Sequence, residues 1–275
     1  MSARDQKIGP TAHYTAFVWH RLGMPYAEHF ATRRGRVLFW SFRLAGEWVA
    51  TLLPRHPTME QYLEIRHRTL EQVLRDAKPD RVVELGAGLS RRGLTWAADH
   101  GVDYTELDLP HMAEAKRNAI EARLPERIRR RVQGRLRQIG LDVLAEDFSS
   151  ELSALLQGAR RPVVLAEGLL GYFPMHERRV VVSHVCRALS AVGGGTFACD
   201  LRAREGGTAV AVGATALRGA VWLVTRGRGL RPDFATHDEI REFFADAGFD
   251  SAEPMPYDGA VHAPVRIWRC EVRGA

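Results

Sequence analysis

The chain has 275 residues, of which 45% are hydrophobic and 26% charged, and its formal net charge is +6. These fractions are ordinary for a folded globular protein, and the length is sufficient for one sizeable core with an appended segment. The N-terminus lacks the apolar core of a signal peptide, and no run of about 18 apolar residues is present to span a bilayer. We therefore expect a soluble cytoplasmic protein with no membrane partner.

The positive charge is concentrated in one stretch of arginines. Glu121 and Glu126 are interspersed there, and no aromatic residue is available to stack on a base. We interpret the stretch as a solvated helix-and-loop face, so nucleic acid is not the favoured partner, although an anionic partner stays open. The arginines are Arg123, Arg127, Arg129, Arg130, Arg131, Arg135 and Arg137.

The three cysteines, Cys186, Cys199 and Cys270, are widely spaced and form no metal-ligand pattern. Cys186 and Cys199 lie in apolar surroundings, which predicts buried thiols and fits a reducing cytoplasm. No metal cofactor is expected.

The first 79 residues show helical periodicity without alternating strands. Apolar residues at helical spacing include Val37, Leu38, Leu44 and Trp48, and a long helix is predicted over residues 59–76, ending before Pro79. We interpret residues 1–79 as an N-terminal helical cap.

Residues 80–275 are predicted to form the main domain, in which strands and helices alternate. Such alternation predicts a mostly parallel sheet with helices on both faces, and ligands at the carboxyl ends of its strands. The predicted strands are residues 82–85, 104–107, 136–141, 163–167, 195–200 and 265–272, and the predicted helices are residues 90–100, 111–121, 149–157, 176–189 and 236–248. Residues 201–233, rich in Gly and Arg, are predicted to be an insertion.

A Gly-x-Gly turn follows the first strand, and the next strand ends in Asp108. Glycines allow the backbone to approach a ligand closely, and an acid at the tip of the next strand can accept both ribose hydroxyls. The spacing of Gly86, Gly88 and Gly93 differs from the dinucleotide pattern, and the chain has no G-x4-G-K-[ST] phosphate loop. A nucleoside without a pyrophosphate is indicated, and S-adenosylmethionine fits this description.

Four segments in this order resemble the leucine carboxyl methyltransferase family of class I S-adenosylmethionine-dependent methyltransferases. They are residues 82–89 (VVELGAGL), 106–110 (ELDLP), 141–144 (LDVL) and 166–170 (AEGLL). Within the family, the chain looks like the bacterial, tetracenomycin-type carboxyl O-methyltransferases of polyketide biosynthesis. The resemblance implies a Rossmann-like α/β fold with a seven-stranded, mostly parallel sheet and S-adenosyl-L-homocysteine as the product.

The resemblance also implies where the cofactor is held. Glu84 and the turn of Gly86, Ala87 and Gly88 would line its methionine part. Asp108, with Leu109 beside it, would hold the ribose hydroxyls by charge-assisted hydrogen bonds. The alternatives are an ordinary strand-turn glycine pair and, for Asp108, a helix N-cap ahead of Pro110.

Further along the chain, Asp142 and Val143 would flank the adenine, unless Asp142 is a surface loop acid. Arg66 matches the position of a cationic partner for the cofactor carboxylate, a task that suits arginine. Arg68 lies two residues away, so the assignment between the two is open, and a solvated helix arginine is the alternative for each.

Glu167 and Gly168 would border both the cofactor and the reacting centre. Tyr172 is a candidate contact to the acceptor, with simple packing as the alternative. Where the family commonly has Asp-Thr-Arg, this chain has Ser90, Arg91 and Arg92, which keeps a helix-capping residue but removes the acid. The candidate acceptor contacts in the N-terminal segment are His13, Tyr14, Trp19 and His20, with a docked amphipathic helix as the alternative.

The leading function is therefore an S-adenosylmethionine-dependent O-methyltransferase of a small-molecule secondary metabolite. A carboxylate acceptor needs no general base, whereas a phenol would benefit from His13 or His20. The alternatives are methylation of a protein C-terminal carboxylate or of RNA, and a non-catalytic cofactor-binding protein with the same fold. A homodimer stays open.

Overall fold

The computed structural model describes residues 5–44, 58–203, 234–257 and 265–274. Within these ranges, three helices precede the sheet: α1 (Asp5–Arg21), α2 (Arg33–Phe42) and α3 (Met59–Ala77). The helices that follow are α4 (Arg92–Asp99), α5 (Pro110–Arg123), α6 (Glu126–Val132), α7 (Phe148–Leu156), α8 (Met175–Ala191) and α9 (His237–Asp246). The strands are β1 (Arg81–Leu85), β2 (Asp103–Asp108), β3 (Leu136–Gly140), β4 (Pro162–Ala166), β5 (Gly195–Leu201), β6 (Ser251–Pro254) and β7 (Arg266–Val272).

The seven strands form one sheet in the order β3-β2-β1-β4-β5-β7-β6. The first five are parallel, and β7 runs antiparallel between β5 and β6. The predicted α/β Rossmann-like sheet of methyltransferase type, with an N-terminal helical cap, is thus confirmed. β6 was not predicted, because its four residues at the sheet edge include Glu253 and Pro254 and show no apolar alternation.

The central strands are buried on both faces, which explains their continuous apolar runs. All five residues of β4 are buried, and in β1 only Arg81 is partly exposed. The three cysteines lie buried as free thiols, which confirms the prediction for Cys186 and Cys199. Among the helices of the described ranges, none is long and apolar enough to cross a membrane.

Helix α3 begins and ends where its sequence signals lie. Thr58 and Gln61 form a reciprocal capping box at its start, and Lys78 ends it in the left-handed conformation (φ 47°) ahead of Pro79. Its buried residues point toward the sheet and include His67, Leu70 and Leu74. A single uninterrupted helix therefore connects the N-terminal cap to the first strand.

Helices α1 and α2 pack closely because Gly35 has no side chain. A Cβ at Gly35 would lie only 2.1 Å from the carbonyl oxygen of His13. The apolar pattern of α2 is only partly buried: Phe39 is enclosed, whereas Val37 is 63% exposed and Leu44 lies exposed just beyond the helix. Trp48 and residues 204–233 of the predicted insertion lie outside the described residues, so the domain division at residue 79 and the insertion stay predictions.

Candidate cofactor and acceptor site

The glycine turn lies where β1 ends, and it is fastened to the neighbouring strand. Gly86 and Gly88 have φ values of 64° and 50°, a backbone conformation that glycine adopts without strain. The amides of Gly86 and Ala87 both donate to the carbonyl oxygen of Leu107, at 2.8 and 3.2 Å. The turn is thus held at the carboxyl edge of the sheet, where ligands of open α/β sheets bind.

The cap covers this turn directly. A Cβ at Gly88 would lie 3.2 Å from the Cβ of Ala12 in α1, and a Cβ at Gly86 would lie 2.8 Å from Leu169 after β4. Larger side chains at either glycine would therefore collide with the cap or with the segment after β4. The cap, the glycine turn and the segment after β4 are therefore in contact at one place.

Asp108 ties the end of β2 to the glycine turn. Its Oδ2 accepts from the amide of Gly88 at 2.6 Å, and its Oδ1 accepts from the amide of Leu109 at 2.8 Å. The cap position of α5 belongs to Leu109 and has no side-chain cap. Burial raises the pKa of Asp108, while the two amides oppose that rise. A carboxylate has about four acceptor positions, so capacity remains for a ligand.

The structure distinguishes the two arginines of α3. Arg66 reaches the carboxyl edge, where its Nε donates to Glu167 Oε1 at 3.0 Å and its Nη1 lies 3.5 Å from Asp200 Oδ2. Arg68 is 58% exposed and pairs with Glu64 on the same helix at 2.8 Å. Arg66 is therefore the arginine placed to meet a ligand carboxylate.

Beneath Arg66, a fully buried arginine links two strand ends. Arg92 donates to Glu84 Oε1 at 2.5 Å and to Glu167 Oε2. Glu84 also accepts from the hydroxyl of Tyr104 at 2.7 Å. Both oxygens of Glu84 are thus engaged inside the fold, below the glycine turn that its backbone precedes.

Glu167 is the centre of this buried cluster. It accepts from Arg66 and Arg92 and lies 2.9 Å from His67 Nδ1, and these positive and polar neighbours hold its pKa well below the usual range despite burial. Burial and the charge of Arg92 lower the pKa of His67, whose ring lies against Trp19 with centroids 4.6 Å apart. His67 is therefore neutral at pH 7 and connects the cluster to α1.

Asp200, at the end of β5, joins the site without having been singled out from the sequence. Its Oδ1 accepts from the amide of Gly168 at 2.6 Å, and burial raises its pKa. Gly168 itself has a φ of 65° and faces the guanidinium of Arg66. The sequence contained a signal for Asp200, because the predicted strand 195–200 ends in this acid just as the second strand ends in Asp108. His67 and Arg92 carried no such signal.

Tyr172 follows β4 in a short 3-10 turn, Leu170–Tyr172. Its side chain interacts with that of Thr11 in α1, and both Arg66 and Asp200 act on it electrostatically. Burial raises the pKa of Tyr172, which keeps its phenol protonated. Tyr172 is thus brought to the same place as the cap, Arg66 and Asp200.

The N-terminal candidates are distributed differently. His13 is half-buried, its Nδ1 lies 3.1 Å from the hydroxyl of Thr32, and burial with Arg34 and Arg123 lowers its pKa. Tyr14 packs its ring against Phe39 inside the cap, with centroids 5.9 Å apart. Trp19 is buried over His67, whereas His20 is exposed. His20 is therefore outside the cluster that forms at the strand ends.

Asp142 and Val143 follow β3. Asp142 is exposed, and its Oδ1 accepts from the amide of Leu144 at 3.0 Å. Val143 is buried against the apolar core that includes Phe148. Ser90 lies two residues before α4, and its hydroxyl accepts from the amide of Arg92 at 3.2 Å, so it supports the helix start from outside the cap position.

Comparisons with known proteins identify a family and a shared fold. The sequence profile of the family described as leucine carboxyl methyltransferase matches residues 22–186. Over 75 residues the chain is 36% identical to the uncharacterized protein YjhP of Escherichia coli K12, a match that spans 26% of this chain and 30% of that protein.

Solved structures with low sequence identity share the fold. A Thermobifida fusca protein superposes with a TM-score of 0.57 at 15% identity, covering 96% of this chain and 98% of its own. The S-adenosylmethionine-dependent methyltransferase SibL gives a TM-score of 0.56 at 16% identity, and the match covers 79% of this chain and 57% of the SibL chain. An O-methyltransferase family protein from Burkholderia thailandensis gives a TM-score of 0.52 at 17% identity, with 90% and 71% covered. The chain covers less than two thirds of the length of YjhP and of SibL. It belongs to the leucine carboxyl methyltransferase family.

Proposed function

We propose that this methyltransferase transfers the methyl group to an oxygen atom of a small-molecule acceptor, a carboxylate or phenol of a secondary metabolite. The observation that carries the proposal is the convergence of Arg66, Asp200 and Tyr172 beneath α1, beside the glycine turn. The site there combines a cation, protonated hydroxyls and a cover of apolar helix. Such a site can hold a polar acceptor while excluding water.

The cofactor lies along the carboxyl edge in this proposal. Its methionine part meets the amides of the turn Gly86, Ala87 and Gly88 and the guanidinium of Arg66, with Glu167 and Gly168 bordering it. The free acceptor capacity of Asp108 supports a contact to the ribose, with Leu109 beside it. Glu84 contributes from below, because its bonds to Arg92 and Tyr104 hold the end of β1.

The adenine end is formed by the loop after β3. Asp142 uses one carboxylate oxygen for the amide of Leu144, so the other is available to the exocyclic amine. Val143 anchors this loop in the core. The exposed position of Asp142 supports a shallow adenine site at the rim of the sheet.

The reaction is an in-line displacement in which an acceptor oxygen forms a bond to the methyl carbon as the carbon–sulfur bond breaks. The electron pair of that bond stays on sulfur, giving S-adenosyl-L-homocysteine. Orientation of the acceptor accounts for much of the acceleration, since the sulfonium is already a good leaving group. Tyr172 is the tyrosine proposed to position the acceptor, because it lies near Arg66 and Asp200, and Tyr14 is proposed to support the cap from within.

A carboxylate acceptor is favoured because it needs no general base. It is ionised at pH 7, whereas a phenol with a pKa of about 10 must lose a proton. His67 is completely buried and engaged with Glu167, so it is poorly placed to reach a substrate. His13, held neutral by its lowered pKa, is the candidate base for a phenol.

The proposal is tested first by calorimetric titration with S-adenosylmethionine and S-adenosylhomocysteine. Asp108→Asn removes the negative charge, and we expect both affinities to fall roughly tenfold to hundredfold, as for the loss of a charged hydrogen-bond partner. Asp103→Asn, at the opposite end of the same strand, is the matched control and leaves both affinities unchanged.

A screen for methyl transfer then separates the acceptors by mass spectrometry. Methyl esters of aromatic carboxylic acids support the proposal, and methyl ethers of phenols alone contradict the carboxylate preference. Transfer only to a peptide C-terminus or to RNA contradicts the small-molecule acceptor. Cofactor binding without transfer to any acceptor indicates a binding protein, and failure to bind either ligand contradicts the cofactor site.

A further inference from the structure

Tyr62 carries a buried hydroxyl near the guanidinium of Arg66. Tyr62 lies on α3 and is only 3% exposed. Within the described ranges of the chain, its oxygen has no hydrogen-bond partner. Buried polar atoms in folded proteins are nearly always bonded, because an unsatisfied donor loses its water without compensation. This hydroxyl therefore requires an explanation.

Tyr62 lies one helical turn before Arg66. The guanidinium carbon of Arg66 is 5.5 Å from the centroid of the Tyr62 ring. Asp200 and Glu167, which receive the guanidinium, also act electrostatically on the phenol. Tyr62 also belongs to an apolar cluster with Val18, Leu63 and other residues of the cap. The polar groups that act on its phenol are thus Arg66 and the two carboxylates that pair with it.

The phenol keeps its proton in this environment. Burial raises the pKa of Tyr62 to about 12. At neutral pH it is therefore a neutral hydrogen-bond donor next to a permanent cation. A donor and a guanidinium side by side suit an anionic oxygen, since both favour negative charge at the same point.

We propose that the Tyr62 hydroxyl donates a hydrogen bond to the carboxylate of the cofactor's methionine part, the same group that Arg66 receives. This inference rests on the proposed cofactor site and adds a residue to it. The hydroxyl of Tyr62 orients the carboxylate through a directional hydrogen bond, and the guanidinium of Arg66 balances its negative charge. Among the described residues nothing accepts a hydrogen bond from this hydroxyl, and the incoming carboxylate would accept one.

The test compares two ligands on Tyr62→Phe, which removes only the hydroxyl. S-adenosylhomocysteine carries the amino-acid carboxylate, whereas 5′-methylthioadenosine lacks that whole moiety. We expect the Kd of the variant for S-adenosylhomocysteine to rise roughly tenfold, the size expected for a lost bond to a charged group. The Kd for 5′-methylthioadenosine stays at the wild-type value, measured by calorimetry.

Thermal unfolding without ligand separates a binding role from a structural one. Tyr62→Phe leaves the Tm of the unliganded protein unchanged or raises it, because no hydrogen bond to a residue of the described ranges is lost. Tyr104→Phe is the contrasting variant, since that hydroxyl donates to buried Glu84 at 2.7 Å. Its Tm falls. Tyr26→Phe, whose hydroxyl bonds Asp99 far from the site, leaves both Kd values unchanged.

Three results overturn the inference alone. They are an unchanged affinity of Tyr62→Phe for S-adenosylhomocysteine, an equal loss of affinity for both ligands, and a fall in Tm as large as that of Tyr104→Phe. If the wild-type protein binds neither ligand, the proposed cofactor site is overturned with it. The two failures are thus distinguished by the wild-type titration.

Discussion

Arginines and carboxylates occur together in two regions of this molecule, with opposite consequences. At the carboxyl edge of the sheet, Arg92 is completely buried between Glu84 and Glu167. On α6, Arg130 is 75% exposed and pairs with Glu126 at 2.9 Å. Charge count alone does not separate these regions, since the arginine stretch is the denser of the two. Burial separates them, because the stability of a charge removed from water depends on its partners, whereas a solvated charge is stabilised by water.

The largest effect is expected from breaking the buried cluster. Arg92→Met leaves two carboxylates inside the fold without their shared cation, and we expect a loss of about 3–5 kcal/mol in the free energy of unfolding. Urea denaturation measures it. The matched variant on the exposed side, Arg130→Met, is expected to change that free energy by less than about 1 kcal/mol. Similar losses in both variants contradict the contrast between the two regions.

The next effect sharpens the comparison within one helix. Arg66→Lys keeps the positive charge but loses the planar donor fork, so the affinity for S-adenosylhomocysteine is expected to fall about tenfold, or ~1.4 kcal/mol. Arg68→Lys, two residues further on and solvated, retains the wild-type affinity. Calorimetric titration of both variants decides the matter. A loss confined to Arg68→Lys reverses the assignment.

A smaller effect concerns the pH dependence of stability. The pKa of His67 is lowered in the folded protein, so the unfolded chain binds a proton more readily once the pH falls below about 6.5. The stability that neutral His67 provides is present above pH 6.5 and is lost as the pH falls toward its folded pKa. The loss is at most about 1.4 kcal/mol per pH unit for one histidine.

His67→Asn isolates this contribution, because asparagine does not titrate. The free energy of unfolding of wild type and variant is measured by urea denaturation between pH 7.5 and pH 5.5. We expect the wild-type advantage to shrink as the pH falls, by about 1 kcal/mol over this range. The lowered pKa of half-buried His13 acts in the same direction in both proteins and cancels in the comparison. A constant difference contradicts neutral burial of His67.

Much of the fold followed from local sequence signals. Short apolar runs indicate the strands β1 and β4. A capping box marks the start of α3, and Pro79 follows its end. By contrast, β6 has no alternation, and α6 lies within a stretch interpreted only as a charged helix-and-loop face. Both are short elements whose positions depend on what they pack against rather than on their own pattern.

Site residues that lie at strand ends were predicted from the sequence. Site residues that reach the same place from helices were missed. Asp108 and Glu167 follow apolar runs, and parallel strands bring such ends to one edge. Asp200 also follows an apolar run of a parallel strand, so the same rule could have identified it. His67 and Arg92 lie on helices, and nothing in their own spacing indicates that they meet Glu167, which is 100 and 75 residues away.

The amino-acid sequence alone determined most of the strands and helices, the glycine turn and the acid Asp108 at a strand end, because these depend on near neighbours and on a rule of topology. Which helix face meets the sheet decides the choice of Arg66 over Arg68, the engagement of Glu84 below the turn and the burial of the Tyr62 hydroxyl. That face is fixed only when distant segments pack and water is excluded. Side chains of one chemical type then acquire different partners and different charge states.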